Sequence, residues 1–309
     1  MSKRHKTGWR AKFSHGGARA LIFGLWLLHW FPTPVLAFFG EVLGRLLWPL
    51  LKSRRRIVRT NLRLCFPEKS EAEREQLGRE HFVFLVRSLL ERCVLWFGSE
   101  ARVRRLVHVE GDIQLAERTG APIMWLLPHF VGMDYAAPAL TLFQSRPAIN
   151  IYQRQSNPVL DARLHKSRAR FGNARLIERR SGIRPIVRAI QDGAGFVNLP
   201  DMDFGRFAEK DAVFVPFFGV QTATLASPAR MVQSMKMRVQ PMVITMLPRG
   251  RGYKVSFQDP PPGFDDPDPV VATAAFNRWL EARIREQPAQ YYWVHRRFKT
   301  RPPGEPRLY

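Results

Sequence analysis

Between Ala20 and Gly40 the chain carries no Asp, Glu, Lys or Arg; it reads ALIFGLWLLHWFPTPVLAFFG. About 20 apolar residues are enough for a helix to cross the hydrocarbon core of a bilayer. This segment therefore constrains the fold more than any other. Pro32 and Pro34 interrupt it, and Trp26, His29 and Trp30 suit a headgroup boundary. A bent or re-entrant anchor fits as well as a straight span. A cleavable signal peptide competes, because Lys3, Arg4, Lys6, Arg10, Lys12 and Arg19 precede the segment and Val35-Leu36-Ala37 resembles a cleavage site. The uncharged pattern runs past that point to Phe39, and EVLGRLLWPLL follows, which favours an anchor over residues 20–51. A buried core helix is a third reading, strained by the scarcity of polar residues.

Charge narrows the partners. Lys and Arg number 49 against 26 Asp and Glu, a net charge of +23, and such a surplus calls for an anionic partner. Nucleic acid is the usual one, but no recognition helix, zinc-finger spacing or RNA-binding signature is present. A second basic cluster, Lys52, Arg54, Arg55, Arg56, Arg59 and Arg63, contains no acid. Beside an apolar anchor, a face pressed on anionic lipid, at about 1 kcal/mol per basic residue, is preferred to a merely solvated face. Cys65 and Cys93 lie in helix-like patterns, away from any Cys-x-x-Cys pair or histidine cluster. They read as buried thiols, or as one bridge, and not as zinc ligands.

Ser70 to Glu73 has the capping-box pattern, predicting a helix to about Phe97. Beyond it, short apolar runs at 105–109, 122–127, 147–152, 174–178, 195–199, 238–246 and 252–257 alternate with helical patterns at 130–141, 157–169, 183–192, 226–236 and 267–286. This alternation predicts an α/β fold, a mostly parallel central sheet flanked by helices, with an N-terminal hydrophobic membrane-anchor helix. Residues 1–19 read as a basic tail, 52–300 as the catalytic domain and 301–309 as an extended tail.

The sharpest local feature is Leu126-Leu127-Pro128-His129, an apolar run ending in a histidine with Asp134 five positions on. With eight histidines, roughly 0.7 His-x4-acid matches arise by chance, so spacing alone decides nothing. Context raises its value, because strand ends in α/β sheets are where sites are built. With His129 at a helix entrance, its ring can fold back on Asp134. The carboxylate then holds the Nδ1 proton and leaves Nε2 as a base. A satisfied structural histidine is the plainer alternative; catalysis is favoured here.

His129 to Asp134 resembles the His-x4-Asp/Glu motif of the lysophospholipid acyltransferase superfamily. The chain more specifically resembles the lipid A biosynthesis lauroyl/myristoyl acyltransferases, through NLRLCFP at 61–67, LLPHFVGMD at 126–134, LPDMDFG at 199–205, VFVPFFG at 213–219 and QYYWVHRRFKTRP at 290–302. The resemblance covers nearly the whole chain. It implies His129 and Asp134 as catalytic residues. Gly172 to Arg179 is similar to the superfamily's second block, with one extra residue before the apolar pair and Leu176 in place of Phe. Arg170 and Arg179 are candidates for phosphate contact or for stabilising the thioester oxygen; surface placement is nearly as good a reading. Asp201 and Asp203 fall at the acidic third block, where they can bond sugar hydroxyls, fix Arg179 or simply shape a turn. Residues 239–244 resemble the fourth block and read as core. His295, Arg296 and Arg297 belong to an aromatic-rich cluster that shapes the acceptor site or caps the fold.

The resemblance further implies acyl carrier protein as donor and a Kdo-bearing lipid A precursor as acceptor, at the cytoplasmic face of a bacterial inner membrane. Both partners are acidic, which suits the positive charge. No glycine-rich dinucleotide loop or P-loop is present, and no metal or nucleotide cofactor is implied. Two rival functions are acylation of lysophosphatidic acid or another small lysolipid, and a non-catalytic membrane-attached nucleic-acid or scaffold role.

Overall fold

The computed structural model describes residues 8–203, 205 and 211–309, with side chains from His15 onward. Lys3, Arg4, Lys6 and Phe204, and the side chains of Arg10 and Lys12, lie outside it.

The uncharged N-terminal stretch is shared between two helices, α1 (Gly8–Leu28) and α2 (Thr33–Leu50). Pro32 sits at the N-cap of α2 with Pro34 in its first turn, where a missing N–H costs nothing. The expected N-terminal membrane-anchor helix is therefore not formed as one helix. Among the described residues no single helix is long and apolar enough to cross a membrane; α2 and the next helix, α3 (Lys52–Cys65), reach that length and composition only together, across a 92° bend. α2 packs its Leu36, Ala37, Gly40, Gly44 and Trp48 face against α4 (Glu71–Phe97). The helices approach closely: a Cβ on Gly44 would lie 2.5 Å from the Val83 Cα. α4 starts on the expected capping box, with Ser70 and Glu73 bonding each other's backbone N–H groups.

After α5 (Glu100–Leu106) the chain alternates as the sequence predicts. The elements are β1 (Val107–Glu110), α6 (Leu115–Thr119), β2 (Ile123–Leu126), α7 (Ala136–Leu142), β3 (Ala148–Tyr152), α8 (Pro158–Arg168), β4 (Ala174–Glu178), α9 (Arg184–Gln191), β5 (Gly195–Asn198), β6 (Ala212–Phe217), β7 (Val220–Leu225), α10 (Ser227–Ser234), β8 (Arg238–Met246), β9 (Tyr253–Phe257) and α11 (Pro269–Glu286). Seven strands form one sheet in the order β1-β9-β8-β2-β5-β3-β4. All neighbours are parallel except β8 and β9. Every residue of β2 is buried, as the near-continuous apolar run of a strand covered on both faces requires.

Two features depart from expectation. The stretch 130–141 is not one helix: a short 3-10 turn, Met133–Tyr135, precedes α7. An unexpected hairpin, β6–β7, lies outside the main sheet. Its two-residue turn places Phe218 and Gly219 both at positive φ, the geometry that matches the twist of paired strands. The C-terminal residues are not a free tail. Tyr309 accepts a hydrogen bond from the Phe298 amide and donates one to Asn61 of α3. Cys65 and Cys93 are both free and buried.

His81 of α4 is fully buried, with Nδ1 3.0 Å from the Ala289 carbonyl oxygen. Burial pulls its pKa down to about 4 from an ordinary 6.5. Between those values the unfolded chain takes up a proton that the folded chain refuses, so stability falls as pH falls through that window. The difference amounts to roughly 3 kcal/mol. We expect the melting temperature of the detergent-solubilised protein to drop between pH 6.5 and 4, and to drop less in His81→Gln. Parallel curves for the two proteins would show that His81 is not the buried neutral group described.

Candidate active site

The site is made by two neighbouring parallel strands that end alike. β2 runs on through Leu127-Pro128-His129 and β5 through Leu199-Pro200-Asp201. Met124, Trp125 and Leu126 pair with Phe196, Val197 and Asn198, and the Leu127 amide bonds the Asn198 carbonyl. Continuing this register by three residues sets His129 beside Asp201, 72 positions away in sequence.

Their side chains meet. His129 Nδ1 lies 2.7 Å from Asp201 Oδ1, and the His129 amide donates to Oδ2 at 2.9 Å. Tyr291 Oη donates to the same Oδ2 at 3.0 Å. A further tie holds the backbone, as the Tyr292 amide bonds the His129 carbonyl. The Asp201 side chain has no solvent exposure and that of His129 has 12%. Burial alone would raise the Asp201 pKa; its contacts with His129, and Arg297 nearby, hold it below the usual carboxylate range. A carboxylate with its oxygens fully bonded fixes the proton on Nδ1. Nε2 is then the one ring nitrogen without a protein partner among the described residues.

Asp134 is placed differently from expectation. The 3-10 turn directs it away from Nδ1, and Arg92 of α4 meets it at 2.6 Å and Arg168 of α8 at 3.4 Å. The orienting contact expected between His129 and Asp134 is thus made by Asp201 instead. Burial pushes the Asp134 carboxyl up, but Arg92, Arg168 and, less strongly, His129 hold it below its ordinary value. Asp134 therefore remains an anion close enough to His129 to act through its field. The turn depends on Gly132, at φ +80°, where a Cβ would lie 2.3 Å from the Tyr253 ring.

The other expected site residues divide. Arg179 lines a cleft of about 290 Å³ with His129, Asn150, Asn198 and Asp211. Arg296 is exposed, 5.9 Å from the Tyr309 ring centre. Arg170 bonds the Leu95 carbonyl at 3.0 Å and that of Gly98, closing the end of α4. Arg297 is buried, its guanidinium 2.7 Å from both the Ala223 carbonyl and Thr224 Oγ1. Neither guanidinium faces the cleft. Asp203 ties its own turn to the C-terminal segment through Gly205 and Thr300. His295 Nε2 accepts from the Asp203 amide at 3.0 Å, and burial, helped by Arg297, pulls its pKa down to about 4. Both are braces of the loop that carries Asp201.

Reasoning along the sequence missed Asn198. Its side-chain oxygen is buried without a hydrogen-bond partner while the residue lines the His129 cleft. A lone polar residue closing the apolar strand GFVN was the available signal. An apolar cavity of about 70 Å³ adjoins the cleft, sharing Asn150, Val197 and Leu199 and adding Leu127, Leu140 and Leu176.

Residues 9–300 match the family described as bacterial lipid A biosynthesis acyltransferase. The chain is 33% identical over 289 residues to the lipid A biosynthesis palmitoleoyltransferase of Escherichia coli (strain K12), covering 92% of each chain. It is 33% identical over 293 residues to the lauroyltransferase of that organism, again 92% of each. To its myristoyltransferase it is 32% identical over 279 residues, 89% of this chain and 83% of the relative. A strand-end histidine held by a buried carboxylate beside an apolar cavity thus has its family: the chain belongs to the bacterial lipid A biosynthesis acyltransferases, O-acyltransferases of lipid A assembly.

Proposed function

We propose that this chain moves a fatty acyl group from an acyl carrier protein thioester to a hydroxyl of a Kdo-bearing lipid A precursor, at the cytoplasmic surface of the inner membrane. The observation that carries the chemistry is the Asp201–His129 pair, with Nδ1 engaged and Nε2 left for substrate. Nε2 takes the proton as the acceptor oxygen attacks the thioester carbonyl. The C–S bond breaks, and the same proton passes to the departing thiolate. General-base help of this kind is worth about 10²–10⁴-fold. A thioester is already activated, so the step needs no further activation of the carbonyl by a metal. The unfilled Asn198 oxygen is an acceptor for a substrate hydroxyl, and Arg179 on the same wall suits a phosphate. The apolar cavity suits the first carbons of an acyl chain.

The membrane reading rests on exposed apolar side chains. Phe39, Leu43, Leu46 and Leu50 of α2 recur on one face and are 41–70% exposed, and Phe23, Trp26 and Leu27 of α1 and Trp30 just beyond it add to them. An apolar surface this continuous marks an interaction site in a water-soluble setting. We assign it to the bilayer interface, with the helices lying in the headgroup boundary.

Three outcomes are expected. First, His129→Ala lowers transfer by at least about 10²-fold while the protein stays folded. Asp201→Asn also lowers it strongly, because Nδ1 loses the carboxylate that holds its proton. Asp134→Asn lowers it less. A larger loss in the Asp134 variant reverses the assignment of the orienting carboxylate. Second, Arg179→Gln raises the acceptor KM, whereas Arg296→Gln changes it less; both are read with purified lipid A precursor and with lysophosphatidic acid. Equal rates on the two acceptors in the native protein exclude the lipid A reading, as does normal lipid A in the mass spectrum of a deletion strain. Third, replacing Phe39, Leu43 and Leu46 together by Ser moves the protein from floated vesicles to the soluble fraction. Unchanged flotation places the membrane contact elsewhere.

A further inference from the structure

A second cleft, of about 1300 Å³, lies between α2, α3, α4 and the turn 245–250, and shares no wall residue with the cleft at His129. Six arginines and four glutamates line it, a net charge of +2 (6 − 4). Part of that charge is spent internally. Arg59 makes two bonds to Glu75, at 2.8 and 2.9 Å, and Glu286 lies 2.7 Å from Arg283 outside the cleft wall. Arg87 is held as well, 3.1 Å from Glu91 and 3.1 Å from the Leu247 carbonyl, but the other four cations are not. Among the described residues Arg55 reaches only the Trp48 and Pro49 carbonyls, at 3.5 and 3.4 Å. Arg45 and Arg79 stand 3.7 and 3.8 Å from shared carboxylates. Arg249 has no acidic partner within 4.0 Å among the described residues and sits in the left-handed region, at φ 54° and ψ 33°. Its neighbour Gly250 packs tightly on the start of α2, where a Cβ would lie 2.4 Å from the Thr33 carbonyl oxygen. A side chain held in an uncommon backbone state by its surroundings points to a functional constraint. The Gln287 side-chain oxygen, on the same wall, is buried with no partner.

The position of the cleft supplies the chemical class. Glu41, Arg45 and Pro49 of α2 line it, and the exposed stripe Phe39, Leu43, Leu46 and Leu50 runs along the adjoining flank of that helix. A bilayer resting on the stripe lies at the lip of a hollow presenting several loosely held guanidinium groups, which bind phosphate oxygens in pairs. We propose that this cleft holds the headgroup of one anionic phospholipid drawn from the bilayer, a resident lipid separate from both acyl donor and acceptor. The proposal rests on the membrane reading of α2 given above.

Native mass spectrometry of the full-length protein in neutral detergent tests it, with phosphatidylglycerol and phosphatidylcholine of identical acyl chains as probes. We expect one phosphatidylglycerol to be retained at a concentration about tenfold below that needed for phosphatidylcholine. The double variant Arg55→Gln, Arg249→Gln loses that preference. The double variant Arg56→Gln, Arg63→Gln removes the same charge from the outward face of α3 and keeps it. Equal retention of the two lipids, loss of the preference in both double variants, or displacement of the lipid by inorganic phosphate each overturns the proposal. Flotation of the Phe39, Leu43 and Leu46 variant reports separately on the membrane reading, because lipid retention in detergent does not depend on vesicles.

Discussion

The pairing of β2 with β5 is the constraint on which the site depends. A histidine is a general base only when one nitrogen is held and the other is free, and neither strand alone can arrange that. Parallel pairing sets two Leu-Pro-polar endings level, so that His129 and Asp201 meet at the strand ends with the His129 amide already bonded to the Asp201 carboxylate. Tyr291 and His295 of the C-terminal segment then brace the Asp201 loop, the second through the Asp203 amide. This makes the C-terminal aromatic cluster part of the frame that holds His129 against Asp201.

Much of the fold was readable because its central strands β2 and β5 are buried on both faces and so appear as apolar runs bounded by Gly, Pro and polar residues. All seven sheet strands fall within a few residues of expectation. The hairpin β6–β7 escaped because Pro216 interrupts its pattern and its turn puts Phe218, not an Asn or Asp, at positive φ. His129 was identifiable, but its partner was not. The local spacing pointed to Asp134, whereas strand order chose Asp201, and strand order is a property of the whole chain. The clue was present in the matched endings Leu127-Pro128-His129 and Leu199-Pro200-Asp201, which spacing rules for helices do not examine.

The arginines teach a related lesson. A surplus of 49 cations over 26 acids suggests external anions, yet much of the buried guanidinium is used inside. Arg163 and Arg170 close the C-terminal carbonyls of α4, and Arg102 bonds carbonyls at the end of α1. Arg146 bonds three carbonyls, those of Gly193, Ala116 and Ala121. Such contacts satisfy the orphan carbonyls at helix ends and in loops. They leave arginines such as Arg56 and Arg63, on the exposed face of α3, as cations whose charge is offered outward.

One buried network joins the two halves of the molecule. Arg87 of α4 bonds Glu91 at 3.1 Å and the Leu247 carbonyl at 3.1 Å, and stands 3.7 Å from Glu41 of α2. Glu91 accepts from Tyr253 Oη at 2.6 Å, and Tyr253 stacks on Tyr135 with ring centres 3.8 Å apart. Tyr253 is also the ring against which Gly132 turns the chain toward Asp134. Burial raises the Glu91 carboxyl above its ordinary value, and Arg87 opposes that shift. Breaking a buried pair by removing one member leaves an uncompensated charge and typically costs 3–5 kcal/mol. The network therefore favours a rigid connection. The helix that carries the exposed apolar stripe, the arginine-lined cleft beside it and the turn after His129 are fixed relative to one another through α4, which sets the strand ends that carry His129 and Asp201 in a fixed relation to α2.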